Sequence, residues 1–553
     1  MKLITDILVN GERNFGDLIA LRALREDGSS WSYTFREVSR QAHHVANYLR
    51  TQGIRRGHHV AILSENRPEW AIAYFGILLA HGVVIPVDTK LKSMEIRNIL
   101  RHSRTMMLFA SDGMLAAARE ACAELSDIRI IALDQITQER PEKVPVITPD
   151  ADSNDTAVIS FTSGTTGTPK GIMLTHRNIL SNVMASCNVI DCSPRDRFLS
   201  LLPLNHTFEK TAGLLVPLYM GACVTYIHAI NPRTVTEAMQ KTGTTFCLIV
   251  PAIARLFYKR ILMNVEEAPS WKQAIFWKLY GLSRRALGRG INLGPILFRS
   301  LRKNFGGRMR GFISGGAPLD PKIAEFFSCV GLPILQGYGL TETAPVVSCT
   351  KLHQHRIGSV GVPLDGVEVK IEPRNGCDSS TGEILVRGPN VMAGYFNDSA
   401  ATSHILQGGW LHTGDLGRID ANGFLYIVGR VKDVIISDLG KNVYPEEVEA
   451  EIVRIPLVKE ACVLGVRKSH TSHHGEEVAA LIVPDEEASK GKSPQEISNL
   501  IRLELKKVCT NLADYKRPKC FCLCPEDLPK TTTLKLKKAE IAGQIDKYPF
   551  LPL

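Results

Sequence analysis

Ala157-Val158-Ile159-Ser160-Phe161-Thr162-Ser163-Gly164-Thr165-Thr166-Gly167-Thr168-Pro169-Lys170-Gly171 leads an apolar strand into a loop of small, hydroxylated residues with a lysine near its end. Glycine lets backbone N–H groups approach phosphate oxygens, and Ser or Thr hydroxyls add donors beside them. Thr162, Ser163, Gly164, Thr165, Thr166, Gly167 and Lys170 are therefore candidate phosphate-binding positions. The loop is not of the Walker A type, since no Gly-Lys-Ser/Thr ending follows at the right spacing. The competing reading is a flexible solvent loop.

Outward from this stretch, short apolar runs alternate with helical patterns. Val60-Ala61-Ile62-Leu63 precedes a periodic segment over 70–79, then Val83-Val84-Ile85-Pro86-Val87. Runs at 128–133, 198–202 and 246–250 continue the alternation. Strands alternating with helices predict mainly parallel α/β sheets covered on both faces. After residue 360 the texture becomes antiparallel or barrel-like, with alternation at 367–371 and 382–386 and a hairpin turn at Asp420-Ala421-Asn422-Gly423. A smaller α/β segment follows Gly429-Arg430, with Pro445-Glu446-Glu447 opening a helix. The expected division is a large domain over 1–429, a link at 430–433 and a small domain over 434–553.

The composition is globular: 553 residues, 44% hydrophobic and 22% charged. The amino terminus meets charge too early for a signal peptide, and the most apolar stretch, 71–87, is too short and interrupted for a membrane span. It reads as a buried helix running into a buried strand. The cysteines show no disulfide framework; Cys520, Cys522 and Cys524 alternate as on a strand, which suits packing better than a metal. A reducing, cytoplasmic setting is expected. The net charge is +10, and basic residues far outnumber Glu266 and Glu267 over 255–310, interleaved with Trp271, Phe276, Trp277 and Tyr280. Such a stretch can lie on the inner, anionic face of a membrane, or it can be a solvated helix face over a core. No nucleic-acid motif accompanies the charge, so nucleic acid is not expected as a partner.

A second motif follows the apolar run 332–335: Gln336-Gly337-Tyr338-Gly339-Leu340-Thr341-Glu342-Thr343. Tyrosine can stack on a purine, threonine can donate to phosphate, and glutamate can hold Mg²⁺ beside it. Alternatively this is a strand end with an incidental acid. Together the two motifs resemble the phosphate loop and adenine-site motif of the acyl-adenylate-forming superfamily, and the likeness covers nearly the whole chain. The resemblance implies adenine stacking by Tyr338, within Gln336, Gly337 and Gly339. It implies phosphate and magnesium roles for Thr341 and Glu342, with Gly315-Gly316-Ala317 lining the adenine and acyl pockets. Asp415, in Trp410-Leu411-His412-Thr413-Gly414-Asp415, would take the ribose hydroxyls, and a carboxylate with two acceptor oxygens suits a diol. Arg430 would also reach the ribose, and His206 would border the substrate carboxylate. Turn acid and core histidine are the bland alternatives for Asp415 and His206.

Near the carboxyl end, Leu528-Pro529-Lys530-Thr531-Thr532-Thr533-Leu534-Lys535 resembles the family's catalytic-lysine segment, which by register implies Lys535 as the candidate; a solvated basic tail is the alternative. Many relatives have glycine where this chain has Leu534, which leaves Lys530 and Lys537 as rivals. The resemblance implies ATP, Mg²⁺ and coenzyme A: a carboxylate attacks the α-phosphate to give acyl-AMP and pyrophosphate, then a thiol displaces AMP. Lys432 matches the hinge about which the small domain turns between the steps, bringing Gly440 against the pantetheine arm. The chain ends soon after Lys535, which favours free CoA over an attached carrier. The motifs look most like long-chain fatty acyl-CoA synthetases, so the expected enzyme is an AMP-forming fatty acid–CoA ligase. An aryl-CoA or acyl-carrier-protein ligase, or a silent nucleotide- or acyl-CoA-binding sensor, remains an alternative. The sequence sets neither chain length nor oligomeric state.

Overall fold

The computed structural model describes residues 1–139, 141–148, 150–162, 169–352, 356–374, 378–437, 441–466, 476–531 and 535–553. They form two compact units, Met1–Glu368 with Arg387–Leu411, and Val369–Val386 with His412–Leu553. The link expected at 430–433 falls inside the second unit, because the antiparallel strands before it group with the carboxyl-terminal region.

The first unit holds two large sheets. In one, described strands run in the order Gly394–Tyr395, Lys170–Thr175, Thr156–Thr162, Val83–Val87, His59–Leu63, Met107–Ala110, Arg129–Ala132. Its centre is parallel, His59–Leu63 pairing with both Val83–Val87 and Met107–Ala110. Every residue of Val83–Val87 is buried, as a strand covered on both faces must be. The helix Pro68–Leu79 begins with proline at a position whose N–H is unbonded anyway, and all twelve of its residues are buried. A helix apolar all round belongs in a core. The stretch that might have been taken for a membrane span is thus a buried helix and strand, and among the described residues no helix is long and apolar enough to cross a membrane.

The other sheet runs Val362–Pro363, Val346–Cys349, Ile334–Gly339, Gly311–Ser314, Phe246–Ile249, Arg197–Leu199, Cys223–Ile227, Ile19–Leu24, Ser30–Thr34. From Ile334–Gly339 to Ile19–Leu24 neighbouring strands are parallel, and both margins are antiparallel. Parallel pairing brings the carboxyl ends of several strands to one edge, where open α/β sheets bind ligands.

The helices Pro251–Glu266 and Ser270–Leu287 carry much of the basic stretch. The core reading holds for the inner side of the second helix: Phe276, Leu279 and Tyr280 pack against a cluster that includes Phe298 and Phe326. Trp271 and Trp277 are nevertheless exposed.

Glu368–Pro373, Gly382–Arg387, Trp410–Ile419 and Leu425–Arg430 form the antiparallel section, most of whose residues belong to the second unit. The hairpin turn appears where the Asp-Ala-Asn-Gly signal put it, with Gly423 at φ +81 and its N–H donated to the Asp420 carbonyl. A further sheet of Val458–Val466, Glu477–Pro484, Cys520–Leu523 and Leu551–Pro552 is covered by Pro445–Ile452 and Pro494–Val508. Phe521 faces one packed cluster while Cys522 and Cys524 face another with Leu481 and Leu528, as strand alternation requires.

Candidate active site

Thr156–Thr162 and Lys170–Thr175 are the arms of an antiparallel hairpin, and Thr162 stands opposite Lys170 at its neck. Ser163, Gly164, Thr165, Thr166 and Gly167 lie outside the described residues. The Lys170 Nζ is 5.1 Å from the centre of the Tyr395 ring. Tyr395 comes from the edge strand Gly394–Tyr395, in register with Ile172, and its hydroxyl donates to Glu342 Oε1 at 3.1 Å. Burial and the adjoining Glu342 carboxylate push the Tyr395 phenol well above its usual range. The structure therefore joins the neck of the loop to Glu342 through Tyr395, a residue the sequence reading did not single out. The only local mark is a glycine before two aromatics, and Tyr395 is 53 positions from Glu342.

Glu342 follows the carboxyl end of Ile334–Gly339, in the short 3₁₀ turn Thr341–Thr343. The turn is held from three sides. Met392 N donates to the Glu342 carbonyl, Asn390 Nδ2 to the Thr343 carbonyl, and Thr211 Oγ1 to the Ala344 carbonyl. Gly339 must lack a side chain, because a Cβ there would sit 1.9 Å from the Pro345 carbonyl oxygen. Gln336 is locked to Thr350 by a backbone bond and a hydroxyl bond, which leaves Tyr338 and Gly339 half-buried at the edge. Ser314 pairs with Gln336 on the next strand, so Gly315, Gly316 and Ala317 leave the sheet beside the tyrosine motif. Gly316 has φ +89, and a Cβ on Gly315 would press on the Phe208 ring at 3.2 Å.

His206 follows the Arg197–Leu199 strand on the same edge, its Nε2 3.7 Å from Asp88 Oδ2. Asp88 ends the Val83–Val87 strand of the other sheet. The chain after His206 forms a π-helix, Glu209–Leu215, a form concentrated at functional sites. Its first two side chains are fully buried, and neither Glu209 carboxyl oxygen nor Lys210 Nζ has a hydrogen-bond partner among the described residues. Burial pushes the Glu209 carboxyl up to about 8, against the opposing effect of the nearby Ser200 hydroxyl and Leu202 backbone. Burial draws the Lys210 amine down to about 7.

In the second unit, Asp415 and Arg430 are cross-strand partners, and Arg430 Nε donates to Asp415 Oδ1 at 2.7 Å. Asp415 is buried while the Arg430 side chain is half exposed. Gly414 precedes the acid at φ +70, with its N–H on Glu383 Oε1. Lys432 is exposed in the turn directly after the Leu425–Arg430 strand. Gly440 lies outside the described residues; on either side, Ile435–Ile436 pairs with Asn442–Val443 and Ser437 bonds back to Lys441. Lys535 is exposed, its N–H on Thr531 Oγ1 and its carbonyl accepting from Thr531 N. Of the other two lysines, Lys530 Nζ is 2.6 Å from Glu460, and Lys537 Nζ is 3.2 Å from Glu540. Leu534 lies outside the described residues.

Among the described residues one group could hold a metal by proximity, Glu372, Glu383 and His412, whose donor atoms lie within 4.8 Å of one another. Glu383 is already bonded to Gly414 N and lies 3.9 Å from Arg374, so a sheet ladder accounts for it. Glu342 stands apart: an oxygen donor with no ion pair among the described residues, next to a threonine. A lone carboxylate fits magnesium, which is commonly held by one or two carboxylates with phosphates and water filling the rest.

Two largely parallel sheets with glycines, an aromatic, a hydroxyl and an acid at strand ends make this an α/β protein with its candidate binding edge on those strands. The chain belongs to the AMP-binding enzyme family, whose model matches residues 11–396, and the family's carboxyl-terminal domain model matches 447–535. It is similar to a long-chain-fatty-acid–CoA ligase of Mycobacterium bovis, with 30% identity over 87% of this chain and 82% of that one. A feruloyl-CoA synthase of an Amycolatopsis species is 31% identical over 94% and 95%. The fold matches the o-succinylbenzoate–CoA synthetase of Bacillus subtilis in complex with AMP, with TM-score 0.75 and 28% identity over 96% of each chain.

Proposed function

We propose that this protein is an AMP-forming acid–CoA ligase that activates a medium- or long-chain fatty acid. The observation carrying the reading is the family match over both domains, together with Glu342, Tyr395 and Lys170 gathered at the neck of the hydroxyl-rich loop. The relatives named for fatty acid–CoA ligation support the substrate class.

Tyr338 stacks on the adenine beside Gly315-Gly316-Ala317, and Asp415 with Arg430 takes the ribose. The Asp–Arg ion pair supports that role, since it orients the carboxylate and leaves the diol facing a fixed acceptor. The 162–170 loop and Thr341 hold the phosphates. Glu342 would hold magnesium, which when bound supplies Lewis-acid neutralisation of phosphate oxygens. The substrate carboxylate lies beside His206, attacks the α-phosphate, and expels pyrophosphate. Lys535 neutralises the charge that grows there, and its solvent-exposed position supports choosing it. The 434–553 domain then turns at 430–433 about Lys432. Gly440 comes to the pantetheine arm, and the CoA thiolate attacks the acyl carbonyl and releases AMP.

A second reading, an aromatic acid as substrate, is favoured by the feruloyl-CoA synthase match over nearly all of both chains. The test is pyrophosphate release with Mg-ATP across fatty and aryl acids, with and without CoA, beside Lys535→Ala. Fatty-acid-dependent release and CoA thioester, both lost in the variant, are expected. Preference for aryl acids would select the second reading. Release without thioester would point to a carrier-protein acceptor, and no release with any acid would favour the silent sensor.

A further inference from the structure

The helix Ser270–Leu287 is 18 residues, about 27 Å long at 1.5 Å per residue. One side is accounted for by the fold: Phe276 and Tyr280 meet the Phe326 ring, and Ser283 Oγ donates to the Cys329 carbonyl at 2.7 Å. The opposite stripe has the spacing i, i+4, i+7, i+11, i+14: Trp271, Ile275, Lys278, Leu282 and Arg285. All five are exposed, Trp271 at 60%, Ile275 at 49% and Leu282 at 50%. Trp277, on the flank, is 47% exposed. Nothing in the packing requires large apolar groups there, where lysine or glutamate would serve the helix as well.

Charge sharpens the anomaly. No Asp or Glu occurs from Ala268 to Leu319. Arg284 finds Glu325 at 2.8 Å on a neighbouring helix, but Lys272, Lys278, Arg285 and Arg289 have no carboxylate partner among the described residues. Lys272 instead lies 5.3 Å from the Trp271 ring centre. The surface is therefore apolar and uncompensated cationic at once.

We propose that this outward face docks on an anionic lipid bilayer, with the helix lying in the plane of the headgroups. A nucleic acid would neutralise the cations but leave Ile275 and Leu282 in water. A bilayer takes both, since tryptophan and leucine enter the headgroup boundary while lysine and arginine remain with the phosphates. The proposal is independent of which acid the enzyme activates.

Purified full-length protein is sedimented with vesicles of phosphatidylcholine alone and with phosphatidylserine added, while tryptophan fluorescence is recorded. Binding to the mixed vesicles only, weakened by salt and accompanied by a blue shift, is expected. Each cation near an anionic surface contributes about fivefold to the partition coefficient, so Lys272→Glu/Lys278→Glu/Arg285→Glu is expected to lower it on the order of 100-fold. Trp271→Ser/Ile275→Ser/Leu282→Ser should abolish the blue shift. All six side chains are exposed, and a circular dichroism melt matching the parent confirms that both variants fold. The proposal is overturned by equal binding to both vesicles, by no binding to either, or by binding that the charge variant leaves unchanged. Self-association or duplex DNA binding that these variants remove, without vesicle binding, would likewise assign the face to another partner.

Discussion

Tyr395 and Glu342 show how one hydroxyl can set the direction of a carboxylate. The tyrosine hydroxyl donates to Oε1 of Glu342 at 3.1 Å. If that bond orients the carboxylate for the reaction, Tyr395→Phe should slow pyrophosphate release on the order of tenfold, about 1.4 kcal/mol of barrier, beyond any loss of folded protein. Glu209 and Lys210 behave differently, since each is buried without a hydrogen-bond partner among the described residues. Lys210→Met is expected to stabilise the protein by about 1–3 kcal/mol in urea unfolding. The sign with pH follows from the shifts. The folded Lys210 titrates near 7, below its ordinary 10.5, so its penalty is full in acid and fades as pH rises through that window. The gain from Lys210→Met should therefore shrink toward alkaline pH. Glu209 titrates near 8 instead of 4.5, so its burial costs nothing in acid and costs progressively more as pH rises. Glu209→Gln should flatten the decline in stability across that range.

At the scale of elements, apolar periodicity made the buried helix Pro68–Leu79, the strands around it and the 420–423 hairpin legible. These are local features, written in the residues that form them. The motif residues His206, Gly315, Tyr338 and Glu342 could be read as strand-end loops, but not the contacts that hold them. Asp88 and Tyr395 reach the site from distant segments, and no spacing announces them. The run 198–202 yielded only a three-residue strand, because the chain turns off the sheet to reach His206. Lys538 was also illegible. It reads as part of a basic tail, yet it is half-buried between Glu449 at 2.9 Å and Glu446 at 3.3 Å. Burial opposes its charge, but the two carboxylates keep it protonated beyond the ordinary lysine range. Removing one partner of a buried pair strands the other, so Lys538→Met should cost about 3–5 kcal/mol, read as earlier urea unfolding of the second unit. Adding Glu449→Gln should restore part of that loss.

On the scale of the whole molecule, the proposed reaction draws on residues of both units, the sheet edges of the first and the Asp415–Arg430 pair of the second. If the smaller domain turns at 430–433, a backbone that cannot rotate there separates the two chemical steps. Lys432→Pro is therefore expected to retain acid-dependent pyrophosphate release within a few-fold while losing most CoA thioester formation. Equal loss of both steps would argue against a hinge at this position. The π-helix Glu209–Leu215 carries one more residue per turn than an α-helix, between His206 and the bond from Thr211 to Ala344. Deleting a single residue from it would return the segment to α-helical winding with little net rotation of the chain on either side, because a wide turn is how a helix absorbs one extra residue. Side chains inside the turn, Glu209 and Lys210 first among them, would face in new directions while His206 keeps its place. Related sequences with a one-residue gap here are expected to differ at these two buried positions and not at His206.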